Sequence, residues 1–131
     1  MRIAVDTNIL VRAVVRDDPR QAEIAARTLI KAEILAVGTS CLCEFVWVLR
    51  QVYKFTPAAT AAAIRELMEA ANVEANRPAV EAGLAMLDGG GDFADGVIPH
   101  EGHWLGAETF VSFDRKAVEM LKAQGVAARL L

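Results

Sequence analysis

Three short apolar runs, "RIAV" at 2–5, "ILAV" at 34–37 and "TFVSF" at 109–113, show no polar–apolar alternation, and each is followed by a longer stretch with helical spacing. A strand with one wet face alternates, whereas a parallel strand covered on both faces reads as a continuous apolar run. Short apolar runs alternating with helices therefore predict an α/β chain: a central parallel sheet of four or five short strands, layered between helices on both sides. At 131 residues, one domain over 1–131 is expected, and a 54% hydrophobic composition is ample for its core.

The helices are marked by their ends. "DPRQAEIAARTLIKAE" carries Asp18 as a cap and Pro19 in its first turn, and "TPAATAAAIRELMEAA" repeats the device. "SCLCEFVWVLRQVYK" predicts a helix capped by Ser40, with Leu42, Phe45, Val46 and Leu49 as its apolar stripe. "RPAVEAGLAMLDGGG" and "DRKAVEMLKAQG" read as helices stopped at glycine. "NVEAN" reads as a short strand and "VAARLL" as a last strand or tail. "DFADGVIPHEGHW" starts helical, but Gly96, Pro99 and Gly102 put its continuation in question.

No apolar run approaches the ~20 residues of a membrane span. The N-terminal apolar run is short and meets Asp6, unlike a secretory signal, so a cytoplasmic location is expected. Cys41 and Cys43, two apart at a helix start, point in different directions and read as unpaired small hydrophobes. A single C-x-C has no second pair with which to hold zinc. "HEGH" lacks the spacing of a zinc-binding H-E-x-x-H, so His100 and His103 read as surface residues.

The net charge of −3 does not suggest a nucleic-acid binder. The balance reverses if the acids are local. Setting five of them (Asp6, Glu44, Asp92, Asp95, Asp114) aside as metal ligands leaves twelve acids against fourteen bases. In parallel sheets, ligands bind beyond the carboxyl ends of the strands. Asp6 follows the first strand, Glu44 lies one turn into the helix after the second, and Asp114 follows a late strand. Asp92 and Asp95, at i and i+3, share one face of a first helical turn. Asp6, Asp92 and Asp114 are each also natural helix caps, and Glu44 is a candidate ion-pair partner. Capping explains the acids one at a time, but not why separate segments would all bring one to a single rim. Glu44, in a largely apolar helix, is expected to be partly desolvated. Clustered carboxylates repel unless a cation joins them, and hard oxygen donors suit Mg²⁺ or Mn²⁺, ions that serve phosphate chemistry.

"DTN" ending a first strand, Glu44 inside "CLCEFVWVLR", "DFAD" opening a helix and "SFD" ending a late strand together resemble the PIN-domain nucleases. The likeness is to VapC-type toxins of bacterial toxin–antitoxin pairs, and it covers nearly the whole chain in order. By position, Asp6, Glu44, Asp95 and Asp114 match the family's acidic quartet and Asp92 an additional acid. Thr7 and Asn8 match its supporting polar positions, and Ser112 its Thr or Ser two before the last Asp. The resemblance implies a Mg²⁺- or Mn²⁺-dependent endoribonuclease that leaves 5′-phosphate and 3′-hydroxyl ends. It also implies a homodimer inhibited by a cognate antitoxin protein, with tRNA or mRNA among the candidate substrates. Asn8 would either hold Asp6 in place or contact substrate. The departure is "GVIPHEGHW", where the family continues with small apolar residues.

Other acid-rim proteins fit less well. A haloacid-dehalogenase phosphatase needs an Asp where this chain has Asn8, and a receiver domain needs a Lys where it has Asp114. An inactive PIN-fold interaction scaffold would have little reason to keep a repulsive cluster. Arg12, Arg16 and Arg20, Arg50 and Lys54, and Arg115 and Lys116 flank the acids and are candidate phosphate contacts. Trp47, Tyr53, Phe55, Leu67 and Met68 exceed what a lone domain easily hides, and are where a two-fold interface is expected.

Overall fold

The computed structural model describes residues 1–131, whose contacts gather into two compact units, Met1–Asn76 and Arg77–Leu131. The first unit runs β1 (Arg2–Ala4), α1 (Thr7–Val15), α2 (Pro19–Lys31), β2 (Ile34–Ala36), α3 (Thr39–Gln51), α4 (Pro57–Glu69) and β3 (Val73–Glu74). Its sheet has the order β1-β2-β3, all parallel, with Ile3 opposite Leu35 and Leu35 opposite Val73. The strands are so short that most of their residues are strand ends. Leu35 is fully buried, but Ala36 beside it and both ends of β1 are exposed, less covering than the apolar runs predict.

The predicted α3 stripe is the heart of this unit's core: Leu42, Phe45, Val46 and Leu49 are all buried. Each such side chain contributes about 1.5–3 kcal/mol relative to leaving it in water. Asp18 and Thr56 cap α2 and α4, accepting from the amides of Gln21 and Ala59, both at 3.1 Å. Ser40 does not cap α3. The helix starts at Thr39, with Gly38, two residues before Ser40, in the cap position and no side-chain bond, and Ser40 is an exposed residue of its first turn. Helix α1 is not among the helices predicted above: the apolar residues after "DTN" form a helix that buries Leu10 and Val11.

The second unit runs α5 (Arg77–Asp88), α6 (Ala94–Trp104), β4 (Phe110–Ser112), α7 (Arg115–Ala123) and β5 (Ala128–Leu130). β4 and β5 pair in parallel, with Val111 opposite Arg129, so the "VAARLL" segment is a strand. Every strand pairing in the chain is parallel, as expected of the α/β class. The ladders form one set of three and one of two, where the apolar runs predict a single sheet. Ala117 and Leu121 of α7 bury against Met86 of α5, with Phe110 and Ala128 of the strands packed alongside.

Helices α5 and α6 touch through glycines. A Cβ on Gly83 would lie 2.5 Å from the Phe93 ring, and one on Gly96 would run into the Ala82 carbonyl oxygen. Gly96 thus permits close packing and does not end the helix. Pro99 only deletes one backbone bond, and α6 continues through it to Trp104. No helix is long and apolar enough to cross a membrane.

Candidate active site

In the first unit, Asp6 sits just past the end of β1 and caps α1, its Oδ1 accepting from the Thr7 amide at 2.7 Å. The break in the opening apolar run is therefore a helix start. Thr7 is 4% exposed, and its hydroxyl donates to the Cys41 thiol at 3.7 Å. That thiol donates in turn to the Val5 carbonyl at 3.8 Å, tying the first turn of α3 to the end of β1. Burial pushes the Cys41 thiol above its ordinary pKa. The Thr7 hydroxyl opposes this, and the negative charges of Asp6 and Glu44 add to it. Cys41, in the first turn of α3, therefore feels both Asp6, just past the end of β1, and Glu44, further along α3. Neither Cys41 nor Cys43 is in a disulfide.

Two expectations here are corrected. Glu44 is exposed, as are Trp47 and Gln51, because the buried stripe of α3 leaves Glu44 on the wet side. Asn8 does not hold Asp6: it is exposed, and the Thr7 amide makes the bond instead.

In the second unit, Asp92 Oδ1 accepts from the Ala94 amide at 3.3 Å, and its carbonyl from the Asp95 amide at 3.1 Å. Asp114 caps α7 through the Ala117 amide at 3.1 Å, and its own amide donates to Ser112 Oγ at 2.9 Å. Ser112 thus fixes the turn that presents Asp114. Asp95 is half-buried. Burial raises its carboxyl above the ordinary range, and the charges of Asp92 and Asp114 raise it further. These acids, on two segments, form one electrostatic group.

Several of the basic candidates have work within the fold. Arg12 pairs with Asp17 at 3.0 Å, Arg50 donates to the Phe55 carbonyl at 2.6 Å, and Lys116 donates to the Gly90 carbonyl at 2.7 Å. Arg16, Arg20, Lys54 and Arg115 are exposed. His103 is exposed, but His100 is not the surface residue expected. Helix α6, continuing past Pro99, carries it against the fold, where its Nε2 is buried without a partner. His100 lines a cavity of about 520 Å³ with Phe110 and Leu121.

No three His, Cys, Asp or Glu side chains are grouped so as to hold a metal ion as they stand. The donors' chemistry nevertheless fits a hard divalent cation. They are carboxylate oxygens, and Asp95 is raised by neighbours whose charge a cation would offset. A family model described as PIN domain matches residues 3–120, a span that includes all of the acids above. Among proteins of curated function, none matches the chain.

Proposed function

Because the chain belongs to the PIN-domain family, whose members are generally nucleases that typically use divalent metals, we propose that it is a Mg²⁺- or Mn²⁺-dependent endoribonuclease and the toxin of a toxin–antitoxin pair. The observation that carries the metal-dependent reading is the placement of Asp92 and Asp95 around the start of α6 and of Asp114 at the cap of α7, near enough for the charges of Asp92 and Asp114 to bear on Asp95. Keeping this repulsion is costly unless a cation offsets it. A bound divalent ion would supply an activated water and neutralise charge on the phosphoryl oxygens. Asp6, Glu44, Asp95 and Asp114 are the proposed ligands, with Asp92 as a further one. Thr7 and Ser112 hold Asp6 and Asp114 in their turns through the bonds described. Arg16 and Arg115 are the proposed phosphate contacts, being exposed and basic.

Structured RNA is expected to be cut with Mn²⁺ or Mg²⁺ present and left intact in excess chelator, with 5′-phosphate and 3′-hydroxyl ends on the fragments. Cleavage that survives chelation, or 2′,3′-cyclic phosphate ends, would refute the mechanism. The alternative reading is an inactive interaction scaffold. A folded protein that cuts no RNA with either ion would establish it.

We further propose a cytoplasmic homodimer, with a cognate antitoxin as partner. Trp47 on α3 is 60% exposed and Val52, just past its end, 56%, while Tyr53, Phe55, Leu67 and Met68 are half-buried. Trp47 is the anchor this interface would use. Sedimentation at about 10 μM, where roughly 7 kcal/mol of association is needed, is expected to show a dimer. A monomer there would remove the claim.

A further inference from the structure

The loop Gly89–Gly91 leads from α5 to the turn that carries Asp92 and Asp95, and α7 carries Asp114 at its cap. Two side chains of α7 hold this loop. Lys116 Nζ donates to the Gly90 carbonyl at 2.7 Å. One turn further on, Met120 lies against the flanking glycines. A Cβ on Gly89 would meet its methyl group at 2.8 Å, and one on Gly91 its sulfur at 3.0 Å. The Gly91 amide closes the loop back onto α5 by donating to the Met86 carbonyl at 2.8 Å. Gly90 itself, at φ +86°, makes a turn that residues with side chains rarely adopt.

Lys116 stands two residues after Asp114, and Gly90 two residues before Asp92. Their bond joins the first turn of α7 to the loop that leads into the turn of Asp92 and Asp95. We infer that Lys116 is a positioning residue: it fixes the glycine loop to α7 and so sets Asp92 and Asp95 against Asp114. The latch rests on the structure, and its consequence for metal binding rests on the nuclease proposal. A lysine pointed at RNA would keep its ammonium free, whereas this one spends it on a carbonyl of its own chain. Groups that orient metal ligands without touching the ion typically change affinity by about 10–100-fold when removed.

The test compares Lys116→Met, which keeps the stem and loses the ammonium, with Lys116→Arg, which keeps a donor. Mn²⁺ binding is read by calorimetry without RNA, and loop closure by amide hydrogen exchange at Gly90–Asp92 in metal-free protein. Lys116→Met is expected to bind Mn²⁺ about tenfold more weakly. Its loop amides should exchange faster and its KM for RNA stay near the parent's, while Lys116→Arg should restore binding and exchange together. Parental Mn²⁺ affinity and exchange in Lys116→Met would overturn the inference. So would a raised KM with a shallower salt dependence and unchanged Mn²⁺ binding, which would assign Lys116 to RNA phosphate. If the parent itself binds no Mn²⁺, the metal-dependent reading fails. Exchange at Gly90–Asp92 then still decides the latch, and unchanged exchange overturns it.

Discussion

Gly96→Ala is expected to cost about 3 kcal/mol or more, at the upper end of what overpacking a tight contact does. The new methyl would strike the Ala82 carbonyl oxygen, and it would lie 2.6 Å from the Ala82 carbonyl carbon and 2.9 Å from Gly83 Cα. These are backbone atoms of a neighbouring helix, so no rotamer change relieves the clash. For a chain of this size the melting temperature should fall by roughly 10 °C. Gly102→Ala supplies the control. It sits in the same helix, and its nearest neighbour would be Ala107 Cβ at 3.9 Å. There, alanine should be neutral or stabilise by up to about 1 kcal/mol through helix propensity. A Gly96→Ala protein that melts like Gly102→Ala would show that the two helices separate freely.

Asp95→Asn is expected to remove RNA cleavage by at least about a hundredfold, the scale at which loss of one preorganised charged or polar group is felt. It should not lower the stability of the metal-free fold. Burial first, and then Asp92 and Asp114, hold the Asp95 carboxyl above its ordinary value near 3.8. Between that value and the raised one, the native state binds more protons than the unfolded chain. Metal-free stability therefore falls as pH rises through the window, and above it the ionised group carries the whole penalty. Asparagine has no such charge, so the variant should melt at or above the parent at neutral pH and lose the parent's fall across the acidic range. Mn²⁺ should raise the melting temperature of the parent and barely that of the variant. A variant that melts well below the metal-free parent would make Asp95 structural, and one that cuts RNA near the parental rate would remove it from catalysis.

The features legible in the sequence were those with a local cause. Asp18, Thr56 and Asp114 cap helices because their side chains reach an amide three residues on, a reach that spacing alone reveals. The α3 stripe was legible for the same reason. Ser40 was misplaced because Gly38, with no side chain to signal a cap, allowed the helix to begin earlier. Glu44 was misjudged because an apolar composition does not say which side of a helix faces the core. Helix α1 was hidden because one carboxylate, Asp6, marks both a strand end and a helix start. Pro99 and the flanking glycines read as breakers, yet at Gly96 the missing side chain is what lets α6 pack against α5. The Lys116–Gly90 bond spans 26 positions, and no local pattern announces it.

The bonds from these acids to backbone amides bear on how freely their side chains move. Asp6, Asp92 and Asp114 each commit Oδ1 to a backbone amide at the start of a helix or turn. An acid held this way keeps one oxygen anchored and offers the other at a fixed bearing, with little rotamer entropy left to lose. Where such an acid meets a cation or a charged partner, the ordering of its side chain has already been done by the helix or turn it starts, and the encounter need not supply it.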